Sequence, residues 1–202
     1  MPDYSVENHY NEQGFSVICG IDEAGRGPLC GPVVAAACIL PDGLYIEGLN
    51  DSKKLTEKKR EKLFDIIKES AIAYCIAESS VEEINELNIL EADLLAMRRA
   101  IDGLKIKPDL ALIDGNIARD FQIPAVAVIK GDATSMNIAA ASVLAKVTRD
   151  RMCIELDSAY PEYGIAKHKG YGTKDHMNAL RTYGPSPIHR KQFIRFLDKE
   201  AK

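Results

Sequence analysis

Residues 16–40 read SVICGIDEAGRGPLCGPVVAAACIL, and the prediction of the fold starts from this segment. Two apolar runs, 16–22 and 32–40, lie on either side of a segment rich in glycine and proline at 25–31, which predicts two strands joined by a tight connection. Similar short apolar runs predict three more strands, at 71–77, 109–113 and 125–129. The chain therefore predicts an α/β fold, a mixed sheet with helices packed on it.

Helical patterns fill the intervals between these strands. An amphipathic pattern at 55–67 carries a capping residue at Thr56, and Ser80 with Glu83 forms a capping-box signature. The other predicted helices are 88–104, about 134–156, and two short C-terminal helices that follow an irregular stretch at 161–172 and are separated by Gly-Pro-Ser-Pro at 184–187. We expect one domain over 15–202, preceded by a loose lead-in at 1–14.

The composition excludes several classes of protein. With 202 residues, 46% hydrophobic and 28% charged, the chain is neither disordered nor too small to bury a core. No apolar run approaches the ~20 residues that span a bilayer, and the N-terminus lacks the pattern of a signal peptide. The five cysteines are scattered and never in C-x-x-C spacing, which indicates buried thiols in a reducing compartment. We expect a soluble, cytoplasmic protein without a membrane partner.

Charge is distributed unevenly along the chain. Residues 161–202 hold nine Lys and Arg against four Asp and Glu, a net charge of +5, whereas residues 1–160 carry −9. A basic segment on an acidic body favours a polyanionic partner that binds the tail. A solvated surface helix would give the same pattern, so charge alone leaves both interpretations open.

Carboxylates follow the apolar runs at the ends of several predicted strands. Burying an acid without a partner costs several kcal/mol, so each one would ordinarily be a cap or loop residue. Four in similar positions predict a cluster of negative charge that cations neutralise, and oxygen ligands without His or Cys select Mg²⁺ or Mn²⁺. Such a site beside a basic segment suits metal-assisted phosphodiester hydrolysis. The four residues are Asp22, Glu23, Asp114 and Asp132.

The stretch DEAGRGPLCGPVVAA, from Asp22 to Ala36, resembles the signature of ribonuclease HII, the type 2 ribonuclease H. The likeness runs in order from about residue 17 to the C-terminus, and this ordered set makes the resemblance specific. The further matching blocks are DSKKL at 51–55, IDGN at 113–116, KGD at 130–132, IAAAS at 138–142, AKV at 145–147, RD at 149–150, HKGYGT at 168–173 and HR at 189–190.

The resemblance implies a ribonuclease H-like mixed β-sheet flanked by helices, with a helical, basic C-terminal portion at about 161–202. It implies that Asp22, Glu23, Asp114 and Asp132 are the catalytic ligands of two Mg²⁺ or Mn²⁺ ions. The implied activity is endonucleolytic cleavage of the RNA strand of RNA·DNA hybrids and of single ribonucleotides embedded in duplex DNA, as in ribonucleotide excision repair. The expected ends are a 5′-phosphate and a 3′-hydroxyl. Aspartate at position 132 and a short N-terminus favour type 2 over type 3.

The resemblance also assigns substrate contacts. Gly25, Arg26 and Gly27 would by themselves indicate a tight turn, and Tyr171 a packed loop aromatic. In the family, the three-residue segment senses the ribose 2′-hydroxyl and the tyrosine stacks on the sugar after the ribonucleotide. The residues we expect to contact phosphates are Lys53, Lys54, Lys169 and Arg190.

Other functions are consistent with parts of this pattern. A DNA nuclease of the same fold, such as a junction resolvase, would not need Gly25, Arg26, Gly27 and Tyr171 together. A non-catalytic hybrid-binding module would lack at least one of the acids. A metal-free mechanism would use the histidines of the C-terminal portion, His168, His176 and His189, but gives no reason for four clustered acids. We expect a monomer that binds hybrid or ribonucleotide-containing duplex, with any replication or repair partner left open.

Overall fold

The computed structural model describes residues 1–200, with side chains through residue 198. Five strands form one sheet in the order β3-β2-β1-β4-β5. The strands are β1 (Ile18–Ala24), β2 (Val33–Ile39), β3 (Ala73–Ser79), β4 (Leu110–Asp114) and β5 (Ala125–Val128). The pairs β1–β2 and β2–β3 are antiparallel, whereas β1–β4 and β4–β5 are parallel. The predicted mixed α/β sheet is confirmed.

Eight α-helices surround the sheet within the described residues: α1 (Ser5–Asn11), α2 (Glu57–Ser70), α3 (Val81–Leu87), α4 (Ile89–Asp102), α5 (Met136–Ala159), α6 (Ile165–His168), α7 (Lys174–Tyr183) and α8 (Phe196–Glu200). Short 3-10 turns lie at Ser52–Lys54, Gly131–Ala133 and Pro161–Tyr163. The predicted caps are confirmed: Thr56 accepts from the Lys59 N–H, and Ser80 and Glu83 form a reciprocal capping box.

Strand β2 shows why the sheet is covered on both faces. Its side chains alternate, so Ala35 and Ala37 pack in one apolar cluster with helix α4, while Ala36 and Cys38 pack in another with α2 and α5. Helix α5 lies so close to β1 that a Cβ on Gly20 would be 2.2 Å from the backbone of Asn137. Glycine is therefore required there for the helix to pack on the strand.

The N-terminal segment is not the loose lead-in that the sequence predicts. Helix α1 places Glu7 in a buried position, where its Oε1 accepts hydrogen bonds from Ser135 Oγ at 2.6 Å and from the Asn137 N–H at 3.1 Å. These donors belong to the first turn of α5, whose N-terminus favours a negative charge. The hydroxyl of Tyr4 also donates to the carbonyls of Pro41 and Leu44. That prediction was wrong because the segment caps the central helix.

The C-terminal portion is helical, as predicted, and is held by its own apolar cluster. The predicted irregular stretch contains a 3-10 turn and helix α6, so it is more regular than expected. Tyr163, Ile165 and Leu180 pack with Cys30 and Cys153, which join this portion to the loop after β1 and to α5. The last two positions of the predicted segment lie outside the described residues. Within residues 1–200, no helix is both long and apolar enough to cross a membrane.

Candidate active site

Three of the predicted carboxylates meet at one edge of the sheet. Strands β1 and β4 are parallel, so Asp22 near the end of β1 and Asp114 at the end of β4 approach the same edge. Asp132 lies in the 3-10 turn after β5, and its N–H donates to Asp114 Oδ1 at 3.3 Å. One carboxylate oxygen from each of the three lies within 4.8 Å of the others.

The electrostatics of this group favour a bound cation. Asp22 is only 3% exposed, and burial, then repulsion by Glu23 and Asp114, raises its pKa well above the usual value. Burial, together with the charges of Asp114 and Asp51, raises the pKa of Asp132 to about 6. Negative charge is therefore in excess at the site. The donor set is all carboxylate oxygen and fits Mg²⁺ or Mn²⁺, whose charge would relieve the repulsion.

Glu23 lies beside the three aspartates but is not part of their group. Strand β1 continues to Ala24, and successive side chains on a strand point to opposite faces. Glu23 accordingly pairs with Arg26 at 3.5 Å, on the side of α4. Burial raises its pKa, and Asp114 adds to that rise while Arg26 and Lys53 oppose it.

The predicted phosphate-contact lysines at 53 and 54 lie next to the carboxylates. Burial lowers the pKa of Lys53, but the attraction of nearby acids, among them Asp22 and Asp132, outweighs it and raises the pKa overall. Lys54 is exposed and pairs with Asp51 at 3.5 Å. Asp51 itself caps the 3-10 turn Ser52–Lys54. The charge of Asp51 raises the pKa of Asp132, so Asp51 belongs to the site. The sequence analysis did not select it, although it is the first residue of the DSKKL block at 51–55.

The structure leaves Arg190 no free donor for a phosphate, contrary to the predicted phosphate contact. Its side chain is fully buried, and all five of its N–H donors are used by backbone carbonyls. These five acceptors are Gly25 at 2.7 Å, Arg26 at 3.1 Å, Pro28 at 2.9 Å, Gly31 at 2.9 Å and Pro32 at 3.1 Å. Arg190 therefore fixes the loop that follows β1 rather than the nucleic acid.

A second buried arginine holds the same loop from the other side. Arg149 donates to the carbonyls of Cys30, Pro32 and Lys169, at 3.0 to 3.2 Å. A Cβ on Gly25, whose φ is +103°, would lie 2.0 Å from Arg149 Nε, so only glycine fits there. Lys169 is half-buried, and its carbonyl accepts one of these hydrogen bonds from Arg149. Its phosphate contact stays a prediction.

Tyr171 lies against the glycine-containing segment. The residue is 48% exposed, and a Cβ on Gly27 would be 3.4 Å from its Cε1 atom. The structure thus brings Gly27 and Tyr171 together, although 144 positions separate them in the sequence. Arg26 is exposed between them and the acids, where it pairs with Glu23 and, at 3.4 Å, with Asp93.

Asp93 is a further acid that the sequence did not reveal. It lies on helix α4, is 2% exposed, and its Oδ1 has no hydrogen-bond partner among the described residues. Burial and the charge of Glu23 raise its pKa to about 8, against the effect of Arg26. In the sequence it reads as one polar position of an amphipathic helix. Its ion pair with Arg26 and the charge of Glu23 connect it to the site.

The chain is similar to known proteins in both sequence and fold. The family model for ribonuclease HII matches residues 19–196. Ribonuclease HII from Desulfitobacterium hafniense (strain DSM 10664 / DCB-2) is 59% identical over 180 residues, which cover 89% of this chain and 69% of that protein. The ribonuclease H2 of Pyrococcus horikoshii OT3 matches with a TM-score of 0.74 at 30% identity, over 92% of this chain and 98% of that one.

A ribonuclease HII from Archaeoglobus fulgidus, solved in a complex with PCNA, matches with a TM-score of 0.73 at 27% identity, over 87% of this chain and 93% of that one. The sequence and fold comparisons thus agree along nearly the whole described length. The chain belongs to the ribonuclease HII family and is a hydrolase with ribonuclease H endonuclease activity.

Proposed function

We propose that the enzyme cuts the RNA strand of RNA·DNA hybrids and also cuts duplex DNA at a single embedded ribonucleotide. One observation carries the proposal: a carboxylate group suited to phosphodiester hydrolysis lies beside a segment suited to sensing ribose. Asp22, Asp114 and Asp132 supply the first, and Gly27 with Tyr171 supplies the second.

Hydrolysis is assigned to the carboxylates. Asp22, Asp114 and Asp132 would hold divalent Mg²⁺ or Mn²⁺, with Glu23 as a neighbouring ligand after it leaves Arg26. When bound, two such ions would activate water and stabilise the departing 3′-oxygen, leaving a 5′-phosphate and a 3′-hydroxyl. Lys53 faces these acids and can balance part of their charge or bind a neighbouring phosphate. The chain itself contributes an acid cluster fixed by β1, β4 and the turn after β5.

Discrimination between ribose and deoxyribose is assigned to the segment after β1. The peptide N–H groups of Arg26 and Gly27 donate to no acceptor within residues 1–200, so they are available to a 2′-hydroxyl. A hydroxyl is both donor and acceptor, and it is the group by which a protein tells RNA from DNA. Arg149 and Arg190 hold this backbone in place before the substrate arrives. Pre-organised donors lose little entropy on binding.

Tyr171 is assigned to the sugar that follows the ribonucleotide. Its exposed ring beside Gly27 offers a stacking surface next to the segment that senses the 2′-hydroxyl. An aromatic ring can stack on a nucleotide without reading its base, which suits an enzyme that must act in any sequence. The pair would therefore recognise the junction between one ribonucleotide and the DNA that follows it.

The basic C-terminal portion is assigned to the duplex backbone. Its net charge of +5 contrasts with the acidic remainder of the chain, and Lys169 lies near Tyr171 in sequence. We further propose that the protein works as a monomer in the cytoplasm, where its five free thiols would stay reduced. Because the A. fulgidus relative was solved with PCNA, a sliding clamp is the replication or repair partner to test.

The test compares three duplexes of one sequence: all DNA, RNA·DNA hybrid, and DNA with one ribonucleotide. The proposal predicts cleavage of the second and third at the ribose-containing strand and none of the first. Cleavage of all-DNA duplex would favour a DNA nuclease of the same fold, and binding without cleavage would favour a non-catalytic hybrid-binding module.

A further inference from the structure

Three histidines, two of them buried, form a group next to Tyr171 that the proposed chemistry does not use. His176 and His189 are 0% and 3% exposed, and their Nε2 atoms are 3.1 Å apart. His168 stacks on His176 with ring centroids 4.5 Å apart, and the ring of Tyr163 lies 4.6 Å from that of His189. The group links helix α7 to the segment after residue 184.

Backbone partners fix which nitrogen of each ring carries the proton. The peptide N–H of Ser186 can only donate, so His189 Nδ1, 3.1 Å away, accepts and its proton lies on Nε2. That Nε2–H then donates to His176 Nε2, so the proton of His176 lies on Nδ1. Nδ1 of His176 in turn donates to the Tyr171 carbonyl at 3.0 Å. The hydrogen bonds run in one direction, from Ser186 to Tyr171.

The same atoms do not form a metal site. Cys30 Sγ and one nitrogen each from His176 and His189 lie within 4.8 Å of one another, a spacing that a transition metal could accept. However, the Ser186 N–H directs the proton of His189 onto Nε2, which leaves no lone pair there for a metal. Burial also raises the pKa of Cys30 to about 12, so it remains a thiol. The arrangement is a hydrogen-bonded pair of neutral imidazoles.

We propose that His176 is a positioning residue for Tyr171, with His189 selecting the tautomer that lets it act. This inference rests on the proposed function, in which Tyr171 recognises the junction. Tyr171 is half exposed and its ring has Gly27 beside it, so packing alone restrains the ring weakly. Its peptide carbonyl accepts from His176 Nδ1 and from the Thr173 N–H at 2.8 Å. The imidazole therefore holds the backbone from which the ring projects.

Two amide substitutions at one position separate the two hydrogen bonds of His176. In His176→Asn the side-chain amide stands where Nδ1 was and can still donate to the Tyr171 carbonyl. In His176→Gln the amide stands where Nε2 was, so it keeps His189 as a partner and loses Tyr171. Both remove the imidazole ring, which makes each the matched control of the other.

The readout is the rate of cleavage at a single ribonucleotide divided by the rate on a long hybrid. We expect His176→Gln to lower this ratio about 5- to 10-fold and His176→Asn to lower it less than 2-fold. The larger loss corresponds to about 1 kcal/mol, which is the contribution typical of one hydrogen bond. Tyr171→Ala should lower it further, and adding His176→Gln to Tyr171→Ala should change nothing more. Non-additivity would show that the histidine acts through the tyrosine.

Each other outcome has a distinct meaning. Equal losses in both His176 variants would show that ring packing, not the hydrogen bond, matters, and would overturn the inference. An effect of Tyr171→Ala without any effect of His176→Gln would overturn the inference and leave the proposed function intact. No effect of Tyr171→Ala would overturn the junction role of Tyr171 and this inference with it.

If the variants fail to fold, a measurement on the unmodified protein tests the same inference. Long-range ¹H–¹⁵N correlation of the histidine rings reports which nitrogen is protonated. We expect the proton on Nδ1 of His176 and on Nε2 of His189. The opposite tautomer at His176, with no Nδ1–H to donate to Tyr171, would overturn the inference directly.

Discussion

Replacing Arg190 with lysine is the sharpest perturbation of the recognition loop. The arginine uses five N–H donors on the carbonyls of residues 25–32, and lysine has three. At least two carbonyls therefore lose their partner, and a buried unsatisfied acceptor costs ~1–3 kcal/mol. Arg190→Lys should lower the free energy of unfolding by about 2–6 kcal/mol, a large share of the ~5–15 kcal/mol typical of a domain.

The same substitution should impair recognition of ribose. The carbonyls of Gly25 and Arg26 are among the five that Arg190 holds, so weakening this set loosens the segment proposed to meet the 2′-hydroxyl. We expect at least a 10-fold fall in kcat/KM at a single embedded ribonucleotide under conditions where the variant remains folded. Urea unfolding measures the stability change, and a gel-based cleavage assay measures the rate.

A matched control is Arg151→Lys, which makes the same chemical change at an exposed arginine paired with Glu61. Exposed ion pairs contribute little, so its unfolding free energy should change by less than about 1 kcal/mol. If Arg190→Lys also loses less than about 1 kcal/mol of unfolding free energy and cleaves normally, the loop does not depend on this guanidinium.

Three further outcomes follow from the site. Tyr171→Ala should lower the cleavage rate at a single embedded ribonucleotide about 10- to 100-fold and the rate on long hybrids by less. The control Tyr45→Ala, at another exposed tyrosine, should change neither rate. Lys169→Asn should reduce the slope of log duplex affinity against log salt concentration by about 0.9 if this lysine binds a phosphate. Asparagine is chosen because it tolerates the φ of +52° at this position. An unchanged slope would remove it from the interface. Without divalent metal, Asp114→Asn should raise Tm by about 2–4 °C for each ~1 kcal/mol of repulsion relieved, and a lower Tm would argue against an over-acidic site.

Local patterns predicted much of the fold because their causes are local. Apolar runs gave the strands, and Thr56 and the Ser80–Glu83 pair marked helix starts, since caps need only neighbours within a turn. The clustering of Asp22 and Asp114 followed from parallel strands ending at one edge. Glu23 lies outside the cluster of aspartates because β1 continues past it to Ala24. The sequence does not reveal where a strand ends to within one residue.

Buried charges escaped prediction because their partners are distant in the chain. Arg190 meets carbonyls 158 to 165 positions away, and counting its charge with the basic tail placed it on the surface. Glu7 accepts a hydrogen bond from Ser135, 128 positions away in the chain. The sequence alone therefore predicted that its segment is a loose lead-in. Asp93 likewise gains its link to the site through tertiary contact, with Arg26 and with the charge of Glu23. In each case, tertiary contact rather than local pattern decides what the residue does.

We propose above that Asp22, Asp114 and Asp132 would bind divalent metal for hydrolysis of the phosphodiester. The most direct test is cleavage of a DNA duplex with one ribonucleotide, by the native chain and Asp22→Asn, in Mg²⁺ and in excess EDTA. We expect 5′-phosphate and 3′-hydroxyl ends with Mg²⁺, and a rate about 1,000-fold lower in EDTA or in the variant, equivalent to about 4 kcal/mol of transition-state stabilisation. Undiminished cleavage in EDTA, or a 2′,3′-cyclic phosphate product, would contradict it and favour a metal-free histidine mechanism.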